Sequence, residues 1–299
     1  MNATQKTIKY IAMAFALALA LFIIFMIVNG VIFGLSIFGL VADNSSGSSE
    51  VVDGEYSYSQ AFTGVTGLKV EQEIGQLTIR LGDEFRVEAQ NPDKGIQVEN
   101  KNGTLIVKNK ANNFLNWGAD ETRTVITLPR DVVLEKADIS LGAGKGQVEQ
   151  LLAKELYIDT GAGSFRGSHL YGERVDITGG VGEVRLEDVD FANLKLECGV
   201  GALYLSGRVK GNSKVESGVG EARLALTGSR ADYRLKLDVG IGEIRVDGEK
   251  LSDGTHGAET AAHFLAIDGG IGAVILDFSG EADAPNVPDQ TRSSLLPAA

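Results

Sequence analysis

The chain is short of several residue types, and each shortage excludes a class of protein. There is one cysteine, Cys198, so neither a disulfide scaffold nor a multi-cysteine zinc site can be built. Five prolines are present, and three of them (Pro285, Pro288, Pro297) fall in the last fifteen residues. Basic side chains number 28 against 40 acidic ones, a net charge of −12 over 299 residues. Phosphate contacts need clustered Lys and Arg, so nucleic acid is not an expected partner. Glycine is the exception: 38 residues is well above the usual share of about 7%. Their spacing is not the every-third-residue pattern of collagen.

Residues 10–42 are apolar throughout except for Asn29, Ser36 and glycines. A membrane-spanning helix needs about 20 such residues, whereas the apolar part of a cleaved signal peptide has only about 7–15. The run therefore predicts an uncleaved signal anchor, with cleavage as the alternative. Lys6 and Lys9 precede it, and Asp43, Glu50, Asp53 and Glu55 follow it. The positive-inside rule then places residues 1–9 in the cytoplasm and the rest of the chain outside. Residues 43–299 carry 26 basic and 40 acidic side chains, so this part should stand off an anionic bilayer. The Ser/Gly/Asn-rich residues 43–54 read as a flexible stalk. Gly30 and Gly34 form a small-xxx-small pair through which spans could self-associate.

Gly-apolar-Gly recurs at Gly142, Gly161, Gly180, Gly199, Gly218, Gly240 and Gly270, at intervals of 19, 19, 19, 19, 22 and 30. A fixed period near 20 marks stacked structural units. Alternating runs flank each Gly-x-Gly: Leu194-Lys195-Leu196-Glu197 precedes one, and Ala202-Leu203-Tyr204-Leu205 follows it. Alternation with period 2 is the half-buried strand signal. Glycines on both sides of a small apolar residue suit a sharp bend. One rung cannot bury its apolar side alone, but stacked rungs can. The predicted fold is an all-β solenoid of parallel rungs over 137–280, each strand pairing with its equivalents in the preceding and following units. One inward column is Ile139, Ile158, Ile177, Leu196, Val215, Leu237, Ile267. The other is Phe165, Val184, Leu203, Ala222, Ile244, Val274. Cys198 falls on an inward column with Leu141, Thr160 and Val239. Residues 55–136 read as a strand- and hairpin-rich start, with Asn102-Gly103 as a turn. Residues 281–299 read as a disordered tail.

The membrane run, the hairpin-rich start, the Val125-Ile126-Thr127-Leu128-Pro129 strand and repeats such as Gly199-Val200-Gly201-Ala202-Leu203-Tyr204-Leu205 together resemble the bacterial "putative adhesin" family, a β-strand-repeat domain of unknown function. The resemblance covers roughly residues 60–280. It implies a right-handed parallel β-helix, commonly on membrane-anchored proteins of the cell envelope, some related to envelope-stress regulators. It supplies no catalytic motif.

Stacking sets equivalent outward residues about 4.8 Å apart. One outward column is Asp159, Thr178, Glu197, Glu216, Asp238, Asp268, and its neighbour is Tyr157, Asp176, Lys195, Lys214, Lys236. Beyond the bend stand Arg166, Arg185, Arg223 and Arg245 beside Glu183, Glu221 and Glu243. These form a candidate ligand face, or a site where stacked carboxylates hold calcium. The plainer reading is a solvated wall whose opposite charges offset one another. The two longer intervals insert residues at the same corner. The insert at 247–264 carries His256, Glu259 and His263. A short helix over 259–264 would bring Glu259 and His263 one turn apart, close enough to share a metal. A capping loop with exposed histidines is the plainer alternative. No metal, cofactor or catalytic residue is assigned.

The expected function is a membrane-anchored extracytoplasmic module for binding, adhesion or scaffolding, without catalysis. Its partners would be the bilayer through the anchor, and an envelope polymer or a membrane protein. A regulatory envelope protein acting through a membrane partner is the alternative. A polysaccharide lyase or hydrolase on a β-helix is a second one.

Overall fold

The structure, a computed structural model, describes residues 57–90, 96–110 and 122–280. The apolar run 10–42 with Gly30 and Gly34, the stalk 43–54 and the tail 281–299 lie outside the described residues. Among the described residues no helix is long and apolar enough to cross a membrane.

The described chain is almost entirely strand. In chain order the strands are β1 (Tyr58–Phe62), β2 (Gly67–Gly82), β3 (Phe85–Gln90), β4 (Gln97–Lys101), β5 (Thr104–Asn109) and β6 (Arg123–Pro129). The long strands β7 (Val133–Val148), β8 (Leu151–Ser168), β9 (Leu170–Ala192), β10 (Leu194–Lys210) and β11 (Asn212–Leu226) follow. The set closes with β12 (Tyr233–Asp238), β13 (Ile241–Val246), β14 (Glu249–Leu251), β15 (Gly254–His256), β16 (His263–Asp268) and β17 (Ile271–Phe278).

From β7 to β11 the rungs stack in parallel with the register that the 19-residue period predicts. Ile139 faces Ile158, Ile158 faces Ile177, and Leu196 lies between Ile177 and Val215. Each long strand runs through its Gly-x-Gly corner into the next wall. The second glycine of the corner has a positive φ, 137° at Gly182, and a Cβ added there would strike the carbonyl oxygen of Gly163 on the rung above. Glycine is thus required both by conformation and by the closeness of the stacked backbones. Both expected inward columns are buried along their whole length and belong to one continuous apolar core. In the Cys198 column Leu141 is buried, while Thr160, Cys198 and Val239 are half-buried.

At both ends the stacking departs from chain order. The expected succession of β12–β13 followed by β16–β17 is reversed in space. β16 lies between β11 and β12, pairing Val215 with Ile267 and Ile267 with Leu237. β17 lies between β11 and β13 in the same way. The rung formed last is therefore the inner one. The insert between them folds back as antiparallel strands, β14 on β13 and β15 on β12. The other end does the same: β2 lies between β7 and the rung made by β5 and β6. There β4 pairs antiparallel with β5 and β3 with β6, and β1 covers β3. The Asn102-Gly103 turn joins β4 to β5 with φ of 52° and 82°, as expected for a two-residue hairpin.

Under β2, β5 and β6 the corner core is polar. Thr124 Oγ1 donates to Gln72 Oε1 at 2.8 Å, and Asn109 Nδ2 donates to Thr124 Oγ1 at 3.2 Å. All three residues are buried, and their mutual bonds satisfy groups that water cannot reach.

Candidate functional site

The wall beyond the corner carries a ladder of arginines. Register places Arg166 next to Arg185, Arg185 next to Tyr204, and Tyr204 next to Arg223. Because the last rungs are exchanged, Ile275 separates Arg223 from Arg245. The ladder is thus Arg-Arg-Tyr-Arg-Ile-Arg, and Tyr204 and Ile275 are the members that a search for arginines alone overlooks. The Arg185 guanidinium lies 4.1 Å from the centre of the Tyr204 ring, a cation–π stack between rungs.

Glutamates border the ladder on the corner side and pair along each strand. Arg185 Nε lies 3.0 Å from Glu183, Arg245 Nε lies 2.8 Å from Glu243, and Arg223 pairs with Glu221. Arg166 reaches Glu183 from the adjacent rung at 3.7 Å, and Lys250 reaches Glu243 at 3.5 Å. The hydrogen bond from Arg245 holds the Glu243 carboxyl below the usual carboxylate range. Burial is the largest influence on Arg185 and works to lower its pKa, but the Glu183 hydrogen bond together with the charges of Glu183 and Glu187 makes the net shift upward. Glu183, Glu221 and Glu243 do not adjoin one another, because Ala202 and Ala273 occupy the intervening rungs. Solvated pairs of this kind add little stability. Their effect is to leave a wall of fixed, alternating charge. A shallow depression opens on it between Arg185, Tyr204 and Arg223, floored by Ser206 and Ala225.

The histidine insert does not assemble as a metal site. Glu259 sits in a turn and His263 begins β16, so the short helix over 259–264 is absent. His263 is instead structural. Gly211 N donates to its Nδ1 at 3.4 Å, and its ring meets Tyr233 edge-on at 5.3 Å. His256 lies on β15, with Nε2 2.9 Å from Ser252 O. Among the described residues no three His, Cys, Asp or Glu side chains converge as metal ligands. The outward acids Glu197 and Glu216 pair with Lys195 and Lys214. Cys198 is half-buried, and burial pushes its thiol up to about 11, so it stays protonated and unreactive at neutral pH.

Residues 65–260 match the family described as Toastrack DUF4097. This match bears out the resemblance read from the Gly-x-Gly strands. The chain is also similar to the crystal structure of "a putative cell adhesion protein" from Clostridium sporogenes ATCC 15579, at 19% identity and a TM-score of 0.37 over 74% of this chain and 98% of that one. A second similar structure is "a putative adhesin" from Bacteroides fragilis NCTC 9343, at 15% identity and a TM-score of 0.47 over 73% of this chain and 94% of that one. No curated protein matches.

Proposed function

The chain belongs to the Toastrack DUF4097 family, and from that premise we propose that it is a non-catalytic surface-binding module, held at the cell membrane by residues 10–42 with its β domain outside the cytoplasm. The observation that carries the reading is the Arg166–Arg185–Tyr204–Arg223 ladder. Stacking repeats its donors at about 4.8 Å, which suits an extended, oxygen-rich polymer better than a compact substrate. The wall has only a shallow depression, whereas small-molecule sites enclose most of their ligand. Each wall glutamate is committed to an arginine. Glu243 in particular is shifted away from the raised pKa that a general acid needs. This chemistry supports binding over glycoside cleavage. The acidic surface and the apolar N-terminal run support the extracytoplasmic placement.

The test is co-sedimentation of the full-length protein with insoluble polymer from the cell envelope. Arg185→Ser with Arg223→Ser should lower retention about tenfold or more, the effect of losing one or two charge-assisted hydrogen bonds. Retention equal to wild type would contradict the reading. Replacing residues 10–42 with an unrelated span should leave binding intact. Loss on that exchange would favour regulation through a membrane partner.

A further inference from the structure

Every exposed large apolar residue among the described residues occupies the same structural position. These are Ile74, Val181, Val200, Val219, Ile241 and Ile271, and all but Ile74 stand between the two glycines of a corner. Register joins them into one line. Ile74 faces Ala143, Ala143 faces Ala162, Ala162 faces Val181, and Val181, Val200 and Val219 follow. Ile271 lies against Val219, and Ile241 against Ile271. The line runs unbroken for roughly 34 Å at about 4.8 Å per rung. Exposure reaches 73% at Ile241. Isolated exposed aliphatics are ordinary, but a continuous row of them marks an interaction surface. The bend itself does not require them, because Ala143 and Ala162 turn the same corner.

The charges beside this ridge are ordered. On one side the first outward residues are Thr178 beside Val181, then Glu197, Glu216, Asp268 and Asp238. On the other they are Glu183, Glu221 and Glu243, with alanine in the rungs between. The basic residues Lys195, Lys214, Lys236, Arg185, Arg223 and Arg245 stand one outward position further away. Beside Ala143, where the ridge is lowest, the border changes to Ser140 and Lys145. From Val200 to Ile241 acids thus stand nearest the exposed aliphatics on the first of these sides, and bases one outward position further away. A second copy would bring two acidic borders together, and an anionic lipid surface would be repelled in the same way.

We propose that the ridge Val181–Val200–Val219–Ile271–Ile241 docks a partner protein that presents an apolar groove edged by Lys and Arg. The glycines on either side leave the ridge narrow and convex, so a groove rather than a flat face is its complement. The ridge adjoins the arginine wall and shares its bordering Glu183, Glu221 and Glu243, but the docked residues are the aliphatic ones, and this docking does not depend on polymer binding at the arginines.

The test is photo-crosslinking on intact cells with p-benzoylphenylalanine at position 200 of the full-length protein. The expected product is a discrete conjugate whose linked peptide is apolar and flanked by Lys or Arg. Its yield should fall at least about tenfold in Val181→Thr/Val219→Thr, which keeps the β-branched shape. Val181→Ala/Val219→Ala, the residue found in neighbouring rungs, should do the same without disturbing the fold. Glu197→Gln/Glu216→Gln should lower the yield several-fold. The proposal is overturned by a conjugate with a second copy or with lipid, by a linked peptide without basic flanks, or by no conjugate at all. It is also overturned if the threonine and alanine pairs leave the yield unchanged, or if a crosslinker at position 154, on another wall, traps the same product.

Discussion

The middle of the stack and its two ends obey different rules. From Val133 to Leu226 the rungs follow chain order, and each residue sits on its counterpart one period away. At the ends the order is exchanged: β2 is tucked inside the rung of β5 and β6, and β16 and β17 inside β12 and β13. An open parallel edge is a template for aggregation. The exchange leaves outermost a rung whose flanking segment folds back to cover it with antiparallel strands. Two-residue turns of the same kind set those returns, Asn102-Gly103 at one end and Asp247-Gly248 at the other. The period fixes the register of the middle, whereas local turn chemistry closes the ends.

The sharpest contrast is between two glycines. Gly182→Ala in the middle places a Cβ against the Gly163 backbone at a φ of 137°. It should cost about 4 kcal/mol or more and abolish cooperative urea unfolding. Ile177→Ala, in the buried column, should cost about 2–5 kcal/mol by the same measurement. At the C-terminal end, Tyr233→Phe removes a buried hydroxyl that donates to Val209 O at 2.7 Å, and about 1–2 kcal/mol should be lost. Gly248→Ala meets open space at a φ of 79° and should cost only about 1 kcal/mol. A cost equal to that of Gly182→Ala would erase the distinction between rung and turn.

The effect confined to alkaline solution is that of pH on Cys198. Burial raises its folded-state pKa to about 11, above the ordinary value of 9.0. The folded state therefore holds the proton more tightly. The resulting stability is complete below pH 9 and fades between pH 9 and 11. Alkylation by iodoacetamide should be slow at pH 8 and rise steeply only towards pH 11. A half-maximal rate near pH 9 would mean that the thiol is solvated.

The repeat, the bends and both inward columns were legible because burial follows the period-2 alternation. The order of the end rungs was not. Leu237 and Ile267 occupy equivalent places in the column, and nothing in their identity says which lies nearer to Val215. The intervals of 22 and 30 signal extra residues but not that the chain turns back. Tyr204 reads in the sequence as a strand residue, yet its place among the arginines emerges only from register. The corner valines read as parts of a bend, because alternation carries no information about exposure at a corner. The spacing of Glu259 and His263 fits a helical turn, but His263 is drawn into β16 by pairing with Tyr233.

The exchanged end order is the central structural claim, because it joins Val219 to Ile271 in the ridge and sets Ile275 within the arginine wall. Paired cysteines in a Cys198→Ser background test it directly. Lys214→Cys with Ala266→Cys, on adjacent rungs, should form a disulfide readily on mild oxidation. Lys214→Cys with Lys236→Cys, with a rung between them, should not. The reverse result would place β12 against β11 in chain order and contradict the account.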